Sequence, residues 1–120
     1  MQIEYKETAA FQKDLKKLTK RYPTLPEDLT IAKKAAIELF HVLNLDNRAV
    51  FEIPGYGTED IRFYKIKKFA CRSLKNRGNQ SGIRVVYAFH KTAGIVEFIE
   101  IYFKDDQADL TMDRITEYIG

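Results

Sequence analysis

Three cationic side chains fall at spacings that suit phosphate chemistry. Lys65 and Lys67 alternate in the run Phe63-Tyr64-Lys65-Ile66-Lys67, and Arg84 sits in Gly82-Ile83-Arg84-Val85-Val86-Tyr87. Residues two apart on a strand share one face, so these runs can aim their cations at a common surface. Scission of a phosphodiester without a metal needs a group to take the proton of the attacking hydroxyl, donors for the charge growing on the phosphoryl oxygens, and an acid for the leaving oxygen. Arg84 is the best phosphate ligand, because its planar fork matches two oxygens and stays charged. Lys65 or Lys67 can act as base only where Lys68 and Arg84 depress its pKa, as neighbouring cations do. Glu100 is a competing base. His90 can serve as acid or base by virtue of its imidazole, although a lone histidine at a strand end is more often a solvent-exposed bystander. No acidic cluster suited to Mg²⁺ lies in the basic segment, and Cys71 has no metal-ligand spacing with His41 or His90, so neither a metal nor a cofactor is expected.

The surrounding charge points the same way. From Ile61 to Lys91 the chain carries nine Lys and Arg and no Asp or Glu, while residues 1–60 hold nine basic and ten acidic side chains and residues 92–120 hold two basic and seven acidic. The net charge of +3 therefore hides a strongly positive middle. Such a block attracts polyanions, and each cation that meets a nucleic-acid phosphate releases counterions. A lysine-rich strand edge that deters aggregation is the plain alternative, but that task seldom needs so many like charges with no acid between them. Lys68, Arg72, Lys75 and Arg77, in or beside the polar, glycine-bearing stretch before Arg84, are the candidate RNA-binding cations.

At 120 residues the chain is the size of one domain, 1–120, with enough apolar residues for a single core. The single Cys71 cannot form an internal disulfide, and no apolar run approaches a membrane span or a signal segment, so a reducing cytoplasm and no membrane partner are expected.

Apolar periodicity supplies the scaffold. Ile3 and Tyr5 alternate as in a short strand, and Thr8 can cap a helix whose Phe11, Leu15, Leu18 and Tyr22 share one side before Pro23 ends it. Thr24-Leu25-Pro26-Glu27 has capping-box spacing, and Leu29, Ala32, Ala36, Leu39, Phe40 and Leu43 mark the apolar face of a second helix. Ala49 to Ile53 can form a short strand. Ile61–Phe69, Gly82–His90 and Ile95–Lys104 are strong strands, and Asp105–Ile119 is a helix with its acids toward the N-terminal end. The order β-α-α-β-β-β-α predicts an α+β domain in which the helical hairpin packs on one face of an antiparallel sheet of about four strands. The other face is then left open.

Alternation assigns that open face. With Tyr64, Ile66, Ile83, Val85, Tyr87, Phe89, Ile99, Ile101 and Phe103 toward the helices, Lys65, Lys67, Arg84, Val86, Ala88, His90, Glu100, Tyr102 and Lys104 turn outward. Phe63 and Phe98 join them as apolar or base-stacking members.

The Phe-Tyr-Lys-Ile-Lys and Gly-Ile-Arg-Val-Val-Tyr runs, followed by Ile99-Glu100-Ile101 and preceded by the Lys-rich helix from Phe11, resemble the RelE/ParE superfamily of type II toxin–antitoxin toxins over essentially the whole chain. The resemblance implies a small cytoplasmic toxin, neutralised by a cognate antitoxin, whose RelE-like members cut mRNA on the ribosome. It assigns the chemistry to Lys65, Lys67 and Arg84, with Lys104 as the basic residue ending the last strand. Leu110 stands where the family's C-terminal catalytic tyrosine falls, leaving Tyr102 or Tyr118 as stand-ins, and the basic loop Ala70–Ser81 is longer than the family's. The missing tyrosine keeps a second class in view: a non-enzymatic ParE-like gyrase inhibitor, or an RNA-binding module that has lost cleavage. Nothing in the residues fixes the oligomeric state.

Overall fold

The computed structural model describes all residues, Met1–Gly120. It contains β1 (Glu4–Glu7), α1 (Ala9–Arg21), α2 (Leu25–Ala32), a π-helical stretch (Lys33–Glu38), α3 (Leu39–His41), β2 (Val50–Ile53), β3 (Ile61–Ile66), β4 (Ile83–His90), β5 (Ile95–Phe103) and α4 (Met112–Ile119). The sheet has five strands in the order β1-β5-β4-β3-β2. β1 pairs with β5 in parallel and the other pairs are antiparallel, so the expectation of about four antiparallel strands is corrected to a mixed sheet. The α+β class is as expected.

Thr8 starts α1 as its spacing predicts: its hydroxyl accepts the Phe11 N–H at 3.2 Å. Phe11, Leu18 and Tyr22 are buried against the sheet, Phe11 stacking on Phe98 with ring centroids 5.1 Å apart. Thr24 does not form the expected capping box. Its hydroxyl instead donates to Asp28 at 2.6 Å and meets Ser73 at 2.7 Å, tying the start of α2 to the long loop. The helix then widens into its π-helical stretch, which buries Ile37 and sets Phe40 and His41 against Tyr64. Burial lowers the His41 pKa to about 4, and its Nε2 lies 2.8 Å from the Tyr87 hydroxyl.

The second face of the sheet is not open. Phe63, Val86, Ala88, Ile99, Tyr102 and Ile115 form a second, smaller core there, closed by α4. α4 is shorter than expected because Asp105–Thr111 is a turn-rich segment, in which the Asp109 carboxylate accepts the Leu110 N–H and Glu100 accepts the Thr111 N–H. Arg114 fastens α4 across the sheet edge. Its guanidinium forks onto Asp14 of α1, with Nη2 to Oδ1 at 3.0 Å, and also donates to the Ile99 carbonyl at 3.2 Å.

Phe98 and Ile99 exchange the places expected of them. Val86 pairs with Glu100 while Tyr87 pairs with Phe98, so Ile99 is an extra residue, a β-bulge. Phe98 turns into the main core beside Phe11 and Tyr5, and Ile99 joins the second one.

Candidate active site

Register places Lys65 opposite Val86, Val86 opposite Glu100, and Arg84 opposite Tyr102. Lys65, Arg84, Glu100 and Tyr102 therefore share the α4-bearing face, at the end where β3 and β5 finish and β4 begins. Arg84 donates from Nη1 to the Lys67 carbonyl at 2.6 Å, which orients the guanidinium and leaves its remaining donors for a ligand. Lys65 is only 16% exposed along its side chain, and its ammonium meets the exposed Asp109 carboxylate at 2.9 Å. That hydrogen bond is the main cause of Asp109's lowered pKa, with Lys67 a lesser cationic contributor. Lys67 itself projects beyond the end of β3, its ammonium 4.7 Å from the centre of the Phe51 ring.

Tyr102 is mostly buried. Burial, then the nearby Asp109 and Glu100 charges, push its phenol up to about 12, with Arg84 pulling the other way. At neutral pH it is a phenol and a hydrogen-bond donor. Lys104 is exposed just past β5, and its stem lies against Gly82. A Cβ on Gly82 would sit 3.1 Å from Lys104 Cγ and 3.0 Å from the Phe103 ring, and the backbone there has φ +88°. Glycine thus lets the two strand ends approach closely.

No protein-family model matches the chain, and no curated protein matches it in sequence. Among solved structures it is similar to the RelE chain of the archaeal RelE–RelB complex from Pyrococcus horikoshii OT3, at 13% identity and a TM-score of 0.52, over 87% of this chain and 97% of that one. The chain has a RelE-like fold.

On that RelE-like fold the remaining sequence candidates disperse. Glu100 is 2% exposed and its carboxylate is filled: it accepts the Thr111 N–H at 2.7 Å, the Thr111 hydroxyl at 2.8 Å and the Gln107 amide at 2.9 Å. It anchors the segment before α4 rather than standing free as a base. His90 lies at the far end of β4, six residues from Arg84 and so about 20 Å away. There it meets the Tyr118 hydroxyl at 2.6 Å, and Tyr118 donates to Glu97 at 2.7 Å, which, after burial, helps raise the Tyr118 pKa. Neither His90 nor Tyr118 reaches the basic cluster, and of the two candidate tyrosines only Tyr102 does. Leu110 packs into the second core.

Arg72 is already engaged: its backbone and Nε donate to Asp28 and its Nη2 to Glu27 at 2.6 Å, fastening the loop to α2. Arg77 donates to the Ser81 carbonyl at 3.1 Å and stands near Asp105 at 3.9 Å. Lys68 and Lys75 are exposed. Phe63 and Phe98, at 1% and 0% exposure, are core residues that offer no surface for base stacking.

Sequence reasoning missed Asp109, Gln107 and Arg21. The signal was present, since Asp105, Asp106 and Asp109 cluster in the acidic stretch that follows the basic block, but helix periodicity absorbed them as the start of the last helix.

Proposed function

We propose that this chain is the toxin of a type II toxin–antitoxin system and acts as a metal-independent endoribonuclease on mRNA, presented by the ribosome. The observation that carries the reading is the convergence of Lys65, Arg84 and Tyr102, from three adjacent strands, on one end of one sheet face. Arg84, oriented by the Lys67 carbonyl, binds the non-bridging oxygens of the scissile phosphate. Lys65, Lys67 and Lys104 add positive charge around it as the pentavalent state forms. Tyr102, a neutral phenol at neutral pH, is the proposed donor to the leaving 5′-oxygen. With Glu100 filled by three donors, the 2′-hydroxyl proton goes to whichever of Lys65 and Lys67 is present as the free amine, the other staying cationic; for Lys65 that requires release from Asp109. The RelE of the similar structure was crystallised with RelB, which supports an antitoxin as this chain's protein partner. No helix is long and apolar enough to cross a membrane, in keeping with action in the cytoplasm where ribosomes are.

The test is transcript cleavage on translating ribosomes, read by primer extension. Arg84→Ala and Lys65→Ala should each lower cleavage about 10²–10³-fold, the loss typical of one preorganised donor, with far-UV circular dichroism unchanged. Absence of cleavage by the parent protein refutes the enzyme. Salt-dependent RNA binding in that case favours the second reading, an RNA-binding module, which the pairing of Lys65 with Asp109 and the packing of Leu110 support.

A further inference from the structure

β1 covers β5 only from Ile95 to Phe98; past it the edge has no neighbouring strand, and Arg114 and Asp14 take the Ile99 carbonyl and the Ile101 N–H instead. The segment after β5 folds back along this region, and each of its three aspartates meets a cation from a different element. Asp105 lies 3.9 Å from Arg77 of the long loop, Asp106 is 2.5 Å from Arg21 of α1, and Asp109 is 2.9 Å from Lys65 of β3. Gln107 pins the middle, its amide donating to Glu100 and to the Asp109 carbonyl at 2.7 Å. Beneath it is a cavity of about 170 Å³ whose polar lining is Asp14, held by Arg114, with Lys17, Arg21, Tyr102, Asp106 and Gln107. This cavity joins the Tyr102 side of the candidate site to the end of α1.

We infer that Arg21, Lys65 and Arg77 form a phosphate-binding track for single-stranded RNA that rounds the C-terminal end of β5, and that the chain's own Asp105–Asp109 segment occupies it until RNA takes the place of the carboxylates. This rests on the proposed RNA-directed function and extends the contact surface to α1. Carboxylate and phosphate oxygens make the same charge-assisted bonds to guanidinium and ammonium groups, so the two compete for one set of donors. The ion pairs to Arg21 and Arg77 are exposed, so they are weak enough for a polyanion to displace. Gln107 sets how readily the segment lifts.

The experiment is fluorescence anisotropy of a labelled, unstructured RNA oligonucleotide across a range of salt. Asp106→Asn/Asp109→Asn should bind about tenfold more tightly than the parent, with a salt slope steeper by about 1.4, or ~0.7 for each of two freed cations. Gln107→Ala should tighten binding severalfold with no change in charge, which a general electrostatic effect cannot do. Arg21→Ala should weaken the double variant about threefold or more while leaving the parent within about twofold. The inference is overturned if the double variant binds no better than Glu59→Gln/Glu117→Gln, which removes two acids elsewhere. It is equally overturned if Arg21→Ala acts alike in both backgrounds, or if no form binds RNA. Cleavage by the parent on ribosomes, lost in Arg84→Ala, would leave the proposed function standing in any of those cases. Thermal melts within a few degrees of the parent establish that the variants are folded.

Discussion

Glu100→Gln separates an anchor from a base. In the parent, one carboxylate oxygen accepts the Thr111 N–H and the other accepts both the Thr111 hydroxyl and the Gln107 amide, all at 2.7–2.9 Å, in a residue 2% exposed. A carboxamide keeps one acceptor for the Thr111 N–H but turns an NH₂ toward the Gln107 NH₂. The Thr111 hydroxyl can rotate to accept, so one donor–donor conflict remains and one bond to a charged group becomes neutral. Each such loss is worth about 1–3 kcal/mol, and relief of a buried charge offsets part of it, leaving a net destabilisation of about 1–2 kcal/mol. For a domain of this size that is a fall in melting temperature of roughly 3–10 °C. Assayed well below both melting points, cleavage should stay within about threefold of the parent, whereas removal of a general base would cost at least about 10²-fold. An unchanged melting temperature together with abolished cleavage would refute the anchor role and return Glu100 to the chemistry.

Ile115 is fully buried at the centre of the second core, so Ile115→Ala should lower the free energy of unfolding by about 2–4 kcal/mol in urea titrations, mostly by loosening α4. Its result would also report whether α4 unfolds with the rest, since a smaller m-value in the variant would mean that the helix has already detached. His41, whose folded pKa of about 4 lies below its ordinary 6.5, binds its proton more readily unfolded. Its neutral form therefore contributes stability that is complete above about pH 6.5 and is lost as pH falls toward 4, on the order of 2–3 kcal/mol. His41→Gln should flatten the acid limb of the stability–pH curve by that amount; equal slopes in the two proteins would show that the shift is not there.

Much of the fold was legible because period and burial agree. Phe11, Leu18 and Tyr22 recur on one side of α1 and are buried together, and Ile83, Val85, Tyr87 and Phe89 alternate along β4 into the same core. The acidic turn was not legible, because Met112, Ile115 and Ile119 continue back at helical spacing over a segment whose backbone is held instead by Glu100 and Asp109. Tertiary hydrogen bonds of this kind leave no periodic trace in sequence. The same limit explains Arg72: its run of like-charged neighbours suggests a free cation, whereas Asp28, distant in sequence and buried at 2% exposure, engages it. The coincidence of Lys65 and Arg84 on one face could be read in advance, because within β3 and β4 alternation is unbroken.

In β5 alternation is broken, and the break decides what the site contains. Phe98 and Ile101 are three apart, yet both face the main core, Phe98 against Phe11 and Ile101 opposite Val85. No regular strand can do that. The extra residue at Ile99 absorbs the mismatch, and its carbonyl, freed from the regular ladder, accepts from Arg114 of α4. Past the bulge the phase is inverted: Glu100 and Tyr102 turn to the face that carries Lys65 and Arg84, while Ile101 and Phe103 stay inside. Without the bulge, keeping Phe98 in the core would swing Glu100 and Tyr102 toward the helices and leave Arg84 opposite an apolar side chain. The aromatic core beside α1 and the polar end of the sheet are thus joined through one inserted residue. The Arg114–Asp14 clamp that holds α4 over the second face sits at that same residue, so the placement of Tyr102 and the docking of α4 depend on a single irregularity in the strand.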